Sequence, residues 1–326
     1  MWTLGNITGD SPQSRDLVLD HGIVPPLLHI LSQQVHLNLT RSAVWCLSNL
    51  CRSKNSKVES ALPILATLLS NPDVDVLADA TRAISHLSDG ADAKIQKIIN
   101  MGVCPRLVEL LKHSSQNVIQ AALRAVGNIV TGNDLHTQII LDANALQNLL
   151  PLLNSSEQSI KKEVCWIISN ITAGTKAQIQ MVFEANIFPK LIEILCTDDT
   201  KVRKEAAWAV VNAASSATAE QIRYLVELKI MQPLCNLLEL DDTKIVQNAL
   251  NGVENILYIG HMDAKANGSD NLYSLKVQKY GGWEKISKLL QCDQEKICKQ
   301  AFEVIEKYLD QKNDEHMVGS FSDGIN

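Results

Sequence analysis

Apolar residues along this chain recur at the spacing of helices. Around Trp166, for example, Val164, Ile167, Ile168 and Ile171 fall on one side of a helix when each residue advances by about 100°. β-Branched residues do not cluster in the alternating runs that are typical of strands. The pattern therefore predicts amphipathic helices joined by turns, and an all-α protein.

Two sequence segments repeat along the chain at a nearly constant interval. The first is an apolar segment with a proline near its start, and Gly102 to Leu111 is its clearest copy. The positions aligned with that proline are 25, 63, 105, 147, 189 and 232. The second segment contains a tryptophan, and the positions aligned with it are 2, 45, 82, 124, 166, 208 and 251. Most steps in both series are 42 or 43 residues, which is typical of armadillo and HEAT repeats.

Each repeat is predicted to contain three helices. A short first helix is followed by a second helix that begins near the aligned proline, and then by a third helix that carries the aligned tryptophan. One step of 38 residues places a deletion between Cys51 and Ala61, which should shorten the first helix there or the connection before it. Because no single repeat can bury its apolar face alone, the repeats must stack into an armadillo α-solenoid.

The spacing also predicts the limits of this array. We expect armadillo repeats over residues 1–257, with residues 1–9 forming a partial repeat. Residues 258–280 contain Gly, Ser, Asn and Asp and are expected to form a surface loop. A last repeat is expected over residues 281–309, followed by a polar, disordered tail over residues 310–326.

The aligned tryptophan lies on the side of its helix that faces away from the apolar stripe. Four of the five tryptophans occupy this position, and asparagine follows four residues later in six of the seven repeats. We call these two positions of each third helix the Trp/Asn ladder. Its members are Trp2 and Asn6, Trp45 and Asn49, Arg82 and His86, Arg124 and Asn128, Trp166 and Asn170, Trp208 and Asn212, and Asn251 and Asn255.

The residue types of the ladder suit an extended, basic peptide. An asparagine amide offers both a donor and an acceptor, so a row of them can hold a peptide main chain. The aliphatic stems of Lys and Arg can lie between indoles, with cation–π attraction to their charged ends. Carboxylates would complete the recognition of basic side chains, and the candidates are Asp10, Asp79 and Glu205. Arg82 interrupts the pattern and would repel a basic peptide.

Composition excludes several classes of function. The net charge of -6 does not suit nucleic-acid binding, whereas it suits an adaptor for basic ligands. Phosphate-loop, HExxH and GxSxG motifs are missing and the eight histidines are dispersed, so we expect no enzyme, no cofactor and no metal. The eight cysteines form no CxxC pair and are expected to be free thiols in a reducing compartment, either cytoplasmic or nuclear.

These repeats resemble the armadillo core of importin α, the nuclear import adaptor. The matching segments are Trp2 to Pro12, Gly102 to Leu111, Ala125 to Gly132 and Ser159 to Gly174. The resemblance implies a right-handed superhelix that binds the basic nuclear localisation signals of cargo proteins on its concave face. It also implies importin β and a nuclear export receptor as family partners. The family's N-terminal segment that binds importin β is expected to be absent here.

The resemblance also assigns the ladder to two peptide-binding sites. The major-type site would contain Trp2, Asn6, Asp10, Trp45, Asn49 and Asp79. The minor-type site would contain Arg124, Asn128, Trp166, Asn170, Glu205, Trp208 and Asn212.

Two other functions fit the same repeats. One is an armadillo scaffold of the catenin kind, which grips acidic partners through a basic groove; Arg82 and Arg124 favour it, and the acidic ladder neighbours oppose it. The other is a truncated form that sequesters cargo without transporting it, because it lacks the importin β segment.

Overall fold

The computed structural model describes residues 1–33, 35–53 and 55–308, and all regular secondary structure within these residues is helical. None of these helices is both long and apolar enough to cross a membrane. The chain divides into two compact units, Met1–Gly174 and Thr175–Asn326. The all-α class predicted from the spacing of apolar residues is confirmed.

The first unit contains twelve α-helices among its described residues. They are α1 (Trp2–Asp10), α2 (Pro12–Asp20), α3 (Val24–Leu31), α4 (Leu37–Cys51), α5 (Leu62–Leu68), α6 (Val74–Leu87), α7 (Asp92–Asn100), α8 (Cys104–Glu109), α9 (Gln116–Val130), α10 (Asp134–Asp142), α11 (Ala145–Leu152) and α12 (Gln158–Thr172). Short 3₁₀ helices lie at Ser56–Ala61 and Leu110–Lys112.

The second unit contains nine α-helices within its described part. They are α13 (Lys176–Glu184), α14 (Phe188–Thr197), α15 (Thr200–Ser216), α16 (Ala219–Glu227), α17 (Met231–Leu237), α18 (Thr243–Asn267), α19 (Leu272–Lys279), α20 (Gly282–Leu289) and α21 (Glu295–Tyr308).

Local sequence sets the three helices of each repeat, as α10, α11 and α12 show. The side chain of Asn133 caps α10 by accepting from the backbone N–H groups of Leu135 and His136. Asn144 then adopts a left-handed conformation, with φ of 63°, and turns the chain into α11. Gly102 fills the same position one repeat earlier, because glycine adopts positive φ without strain. The repeat shortened by the deletion has the 3₁₀ helix Ser56–Ala61 in place of a first α-helix, as the spacing predicted.

The third helices pack against one another and form most of the core of each unit. In the first unit α4 lies between α1 and α6, and α9 lies between α6 and α12. In the second unit α18 packs against both α15 and α21. The core is aliphatic, and Phe188 and Tyr308 are the only buried aromatic side chains among the described residues.

The expectation of a loop over residues 258–280 is wrong. α18 continues to Asn267, and α19 follows at Leu272–Lys279, so only four residues lie between the two helices. The turn-forming residues are confined to this gap, where Gly268 ends α18 in a left-handed conformation. Outside this gap the segment contains no proline and one glycine, Gly260, which is buried within α18.

The last repeat therefore has three helices, α19, α20 and α21. The tail predicted over residues 310–326 lies outside the described residues, as does position 309. The handedness of the superhelix stays a prediction.

Candidate functional site

The ladder residues lie on the third helices, and all except Asn128 are half-buried or exposed. Ile167 and Ile171 of α12 have 0% of their surface exposed. The ladder indoles differ from this apolar stripe: Trp2 is 70% exposed, and Trp45, Trp166 and Trp208 are half-buried. The indoles thus have one packed side and one side open to a ligand.

Two of these indoles rest on a glycine of the preceding third helix. A side chain at Gly5 would overlap the six-membered ring of Trp45, and a side chain at Gly127 would overlap that of Trp166. Each glycine stands three residues after a ladder position, one repeat before the tryptophan that it supports. The sequence interpretation missed these supporting glycines, although their offset of three residues from a ladder position was visible.

Three ladder asparagines bridge neighbouring repeats through their side-chain amides. Each Nδ2 donates to a backbone carbonyl of the preceding repeat. The pairs are Asn49 with Gly5 (3.1 Å), Asn128 with Ser85 (2.8 Å) and Asn255 with Ser215 (2.8 Å). In Asn49 one amide hydrogen joins the two repeats, which leaves Oδ1 and the other N–H for a ligand. Nδ2 of Asn128 also donates to Ser88 Oγ, at 3.2 Å, and Nδ2 of Asn255 also donates to the carbonyl of Ala214, at 3.1 Å.

The ladder amides differ in accessibility. Asn128 is buried, with 8% exposed, which limits its predicted contact with a peptide. Asn170 donates to the carbonyl of Trp166 in its own helix, at 2.9 Å. Asn6 is exposed on α1, together with Trp2 and Asp10, and these three residues lie one turn apart along one face.

Asp79 does not present the free carboxylate that the sequence interpretation expected. Its Oδ1 lies 2.6 Å from Nη1 of Arg82, the residue in the ladder position of the same helix. Burial raises the pKa of Asp79, and the Arg82 cation opposes this shift. Burial and the nearby arginines, Arg52 first, lower the pKa of His86 to about 4, so this imidazole is neutral at pH 7. The positive charge of Arg82 is thus compensated by the Asp79 carboxylate.

Arg124 is likewise held by an acidic residue and by an indole. Its Nε lies 2.9 Å from Oε1 of Glu163, and its guanidinium carbon lies 5.5 Å from the centre of the Trp166 ring. An arginine over an indole face is attracted by the ring quadrupole. The protein's own side chain shows that a guanidinium fits between the Trp166 indole and a carboxylate.

Glu163 is a site residue that the sequence interpretation missed. It stands three residues before the ladder position, as Asp79 and Glu205 do in their repeats. Its side chain is only 17% exposed, which strengthens its attraction for a cation relative to a fully solvated carboxylate. Alignment of the repeats at the position three residues before the ladder position would have identified Glu163.

The remaining predicted residues lie on α15, in the second unit. Glu205, Trp208 and Asn212 are half-buried on this helix. The minor-type set is thus divided, because Arg124, Asn128, Trp166 and Asn170 belong to the first unit.

The ladder position of α18 carries an amide cluster in place of an indole. Nε2 of Gln300, from α21, donates to Oδ1 of Asn251 at 2.8 Å and to Oε2 of Glu254 at 2.6 Å. These hydrogen bonds tie the ladder position to the last helix of the described chain.

The described residues contain no group of three or more His, Cys, Asp or Glu side chains that could hold a metal ion. The features that recur from repeat to repeat are indoles, amides and carboxylates at fixed offsets on third helices. This arrangement suits the binding of an extended chain.

Family models match most of the chain. The armadillo/β-catenin-like repeat matches residues 11–52, 58–89, 92–131, 133–173, 175–215 and 218–258. An atypical armadillo repeat matches residues 271–320. The last repeat therefore begins near Asn271, the N-cap of α19, and not at 281 as expected from the sequence.

Known relatives and solved structures agree with this assignment. Importin subunit alpha-2 of Arabidopsis thaliana is 49% identical over 111 residues, which are 33% of this chain and 21% of that protein. The chain aligns with about a fifth of the length of the curated relatives that it matches.

Two engineered proteins of known structure share the fold. One covers 98% of this chain and 80% of its own, with a TM-score of 0.80 and 25% identity. A designed armadillo repeat protein in complex with the peptide (KR)4 covers 75% of this chain and 98% of its own, with a TM-score of 0.64 and 32% identity. As an armadillo protein the chain is a binding scaffold and not an enzyme. It belongs to the armadillo-repeat family, and within that family it is an importin-α-like protein.

Proposed function

We propose that this chain is a nuclear import adaptor that binds Lys/Arg-rich nuclear localisation signals of cargo proteins through the Trp/Asn ladder. The observation that carries this proposal is the combination at Trp166, where a half-buried indole lies close to the guanidinium of Arg124, which in turn pairs with the shielded carboxylate of Glu163. A peptide Lys or Arg would take the same kind of position at this indole.

The indoles supply the affinity for basic side chains. Trp166 rests on Gly127 on one side, so its ring is held in place before a ligand arrives. A preorganised ring loses little conformational entropy on binding. The aliphatic stem of a peptide Lys or Arg would lie along the ring, and its charge would reach the neighbouring carboxylate.

The amides supply contacts to the main chain of the peptide. In Asn49, one N–H is committed to Gly5, while Oδ1 can accept from a peptide N–H. Such contacts are independent of the peptide's side chains, so they favour an extended conformation without selecting a sequence.

The charge distribution opposes the rival scaffold for acidic partners. That rival would use the guanidinium groups of Arg82 and Arg124, yet these are paired with Asp79 and Glu163. The designed armadillo neighbour in complex with (KR)4 also supports a basic ligand for this fold.

Transport would require further partners. We propose importin β and a nuclear export receptor, as for the importin α subunits that the chain resembles, and shuttling between cytoplasm and nucleus. A form that sequesters cargo without transporting it stays an alternative that differs only in its partners. Pull-down with importin β distinguishes the two: capture supports transport, and lack of capture together with peptide binding supports sequestration.

Titration of a fluorescent Lys/Arg-rich peptide tests the binding function. Fluorescence anisotropy should show saturable binding that weakens as salt is raised, because the interactions include ion pairs. The same peptide with every Lys and Arg replaced by Gln is the control and should not bind. Equal binding of both peptides, or preferential binding of an acidic peptide, would refute the proposal.

Replacing Arg124 by Gln should strengthen peptide binding by roughly threefold to tenfold. The substitution removes the internal cation and leaves the Trp166 face and Glu163 to a peptide side chain. Anisotropy titration measures the change. The matched control is Arg106→Gln, which removes an arginine paired with Glu109 outside the ladder and should leave affinity unchanged. Weaker binding by the Arg124 variant would show instead that Arg124 itself contacts the peptide.

Replacing Gly127 by Ala should weaken peptide binding by roughly tenfold, because the new methyl group displaces the Trp166 indole. In a Trp166→Ala background the same change should have no further effect on affinity. The control is Gly90→Ala, which meets only the flexible side chain of Lys94. An unchanged peptide affinity of the Gly127 variant would mean that contact with Gly127 does not position the indole.

A further inference from the structure

Two thiols in the last repeat lie close together. Sγ of Cys292 and Sγ of Cys298 are 3.1 Å apart, and both side chains are half-buried. Cys292 lies in the turn between α20 and α21, and Cys298 lies in the first turn of α21. Both are free cysteines, and the sequence did not pair them because five residues separate them.

Backbone carbonyls hold the two thiols in this arrangement. Sγ of Cys298 donates to the carbonyl oxygen of Cys292 at 2.8 Å, and Sγ of Cys292 donates to the carbonyl oxygen of Gln294 at 3.5 Å. A disulfide bond is about 2.05 Å long, so the two sulfur atoms need to approach by only about 1 Å. A bond over so short a distance requires a small adjustment of the turn.

We propose that Cys292 and Cys298 form a dithiol modification site that a hydroperoxide converts into an intramolecular disulfide. This inference is independent of peptide binding by the ladder. It depends on the distance between the two sulfur atoms and on their accessibility to a small oxidant.

The reaction proceeds in two balanced steps. The thiolate of Cys292 attacks an oxygen of the hydroperoxide; an S–O bond forms, the O–O bond breaks, and the leaving oxygen takes up a proton. Cys292 is then a sulfenic acid, oxidised by two electrons. The Cys298 thiol loses its proton and attacks the Cys292 sulfur, so that the S–S bond forms and hydroxide leaves as water. With hydrogen peroxide, two thiols yield one disulfide and two molecules of water.

The order of attack follows from the surroundings of the two sulfur atoms. The hydrogen bond between the two thiols and burial both raise the pKa of Cys298, which reduces its thiolate fraction. Cys298 is therefore the resolving thiol, and Cys292 makes the first attack.

The disulfide would tie the turn before α21 to the first turn of that helix. Two residues beyond Cys298, Gln300 makes the hydrogen bonds to Asn251 and Glu254 of α18. Oxidation therefore acts next to the contact that joins the last helix to the ladder position of α18.

Peptide mapping of the oxidised protein tests this inference. The full chain is treated with hydrogen peroxide, alkylated, and digested with trypsin without reduction. Because Lys296 lies between the two cysteines, a disulfide links the tryptic peptides 289–296 and 297–299 into one species that lacks two hydrogens. Dithiothreitol should release both peptides.

Matched variants identify the thiols involved. Cys298→Ser should abolish the linked species and leave a sulfenic acid on Cys292, which a cyclic 1,3-dione traps. Cys196→Ser removes an exposed thiol elsewhere in the second unit and should leave the linked species intact. Recovery of peptides 289–296 and 297–299 unlinked from the oxidised wild-type chain would overturn the proposal, as would linkage of either peptide to Cys196.

Discussion

Replacement of both Trp166 and Trp208 by alanine should weaken the binding of a Lys/Arg-rich peptide by about 100-fold. Each indole offers one open face, and a desolvated interaction between an indole and a cation contributes up to about 2 kcal/mol. Removal of both indoles, with partial compensation, should cost about 3 kcal/mol of binding free energy, or two decades in the dissociation constant. Anisotropy titration at fixed salt measures the weakening.

The fifth tryptophan provides the control for this experiment. Trp283 is half-buried in α20, outside the ladder, and Trp283→Ala should leave peptide affinity within about twofold. The pair Trp2→Ala and Trp45→Ala should cost less than the first pair if the minor-type site dominates. Equal affinity of the wild type and the Trp166/Trp208 variant would exclude these two indoles from the peptide site.

Replacement of Phe188 by alanine should lower the free energy of unfolding by about 3–5 kcal/mol. Phe188 is fully buried at the start of α14, and its ring centre lies 4.2 Å from that of Phe183. Alanine leaves a cavity in a core with few aromatic side chains to fill it. Urea denaturation, followed by the circular dichroism signal of the helices, measures the change. The unfolding transition of the second unit should occur at a lower urea concentration in the variant than in the wild type.

Phe302 is the matched control for this substitution. It lies on α21 with 56% of its surface exposed, so Phe302→Ala removes the same atoms without opening a core cavity. Its effect on the free energy of unfolding should stay within about 0.5 kcal/mol. A similar destabilisation of the two variants would contradict the burial assigned to Phe188.

The repeats were predictable from the sequence because the apolar stripe and the turn residues obey one period. Asn144 and Gly102, at equivalent positions of successive repeats, both turn the chain with positive φ. The segment 258–280 was not predictable in this way, because its composition is an average over a helix end, a four-residue gap and a new helix. A loop prediction from composition fails when the turn-forming residues are concentrated in a short part of the segment.

The direction of the ladder indoles was also predictable, because it follows from helix geometry. Their surroundings were not, since these depend on packing between repeats. Gly127 supports Trp166, and Glu163 holds Arg124, across distances of about one repeat in sequence. The pairing of Asp79 with Arg82 was easier to predict, because residues three apart share a helix face.

The amide hydrogen bonds between repeats have a consequence for how this protein can diversify. Asn49, Asn128 and Asn255 each join one repeat to the previous one, so exchanging any of them alters the mechanical coupling of adjacent repeats as well as the surface offered to a ligand. The tryptophan positions contact the preceding repeat by packing, as Trp45 on Gly5 and Trp166 on Gly127 show, and three of the seven already hold arginine or asparagine. New ligand preferences should therefore arise by exchange at the tryptophan positions, while the asparagines remain in place.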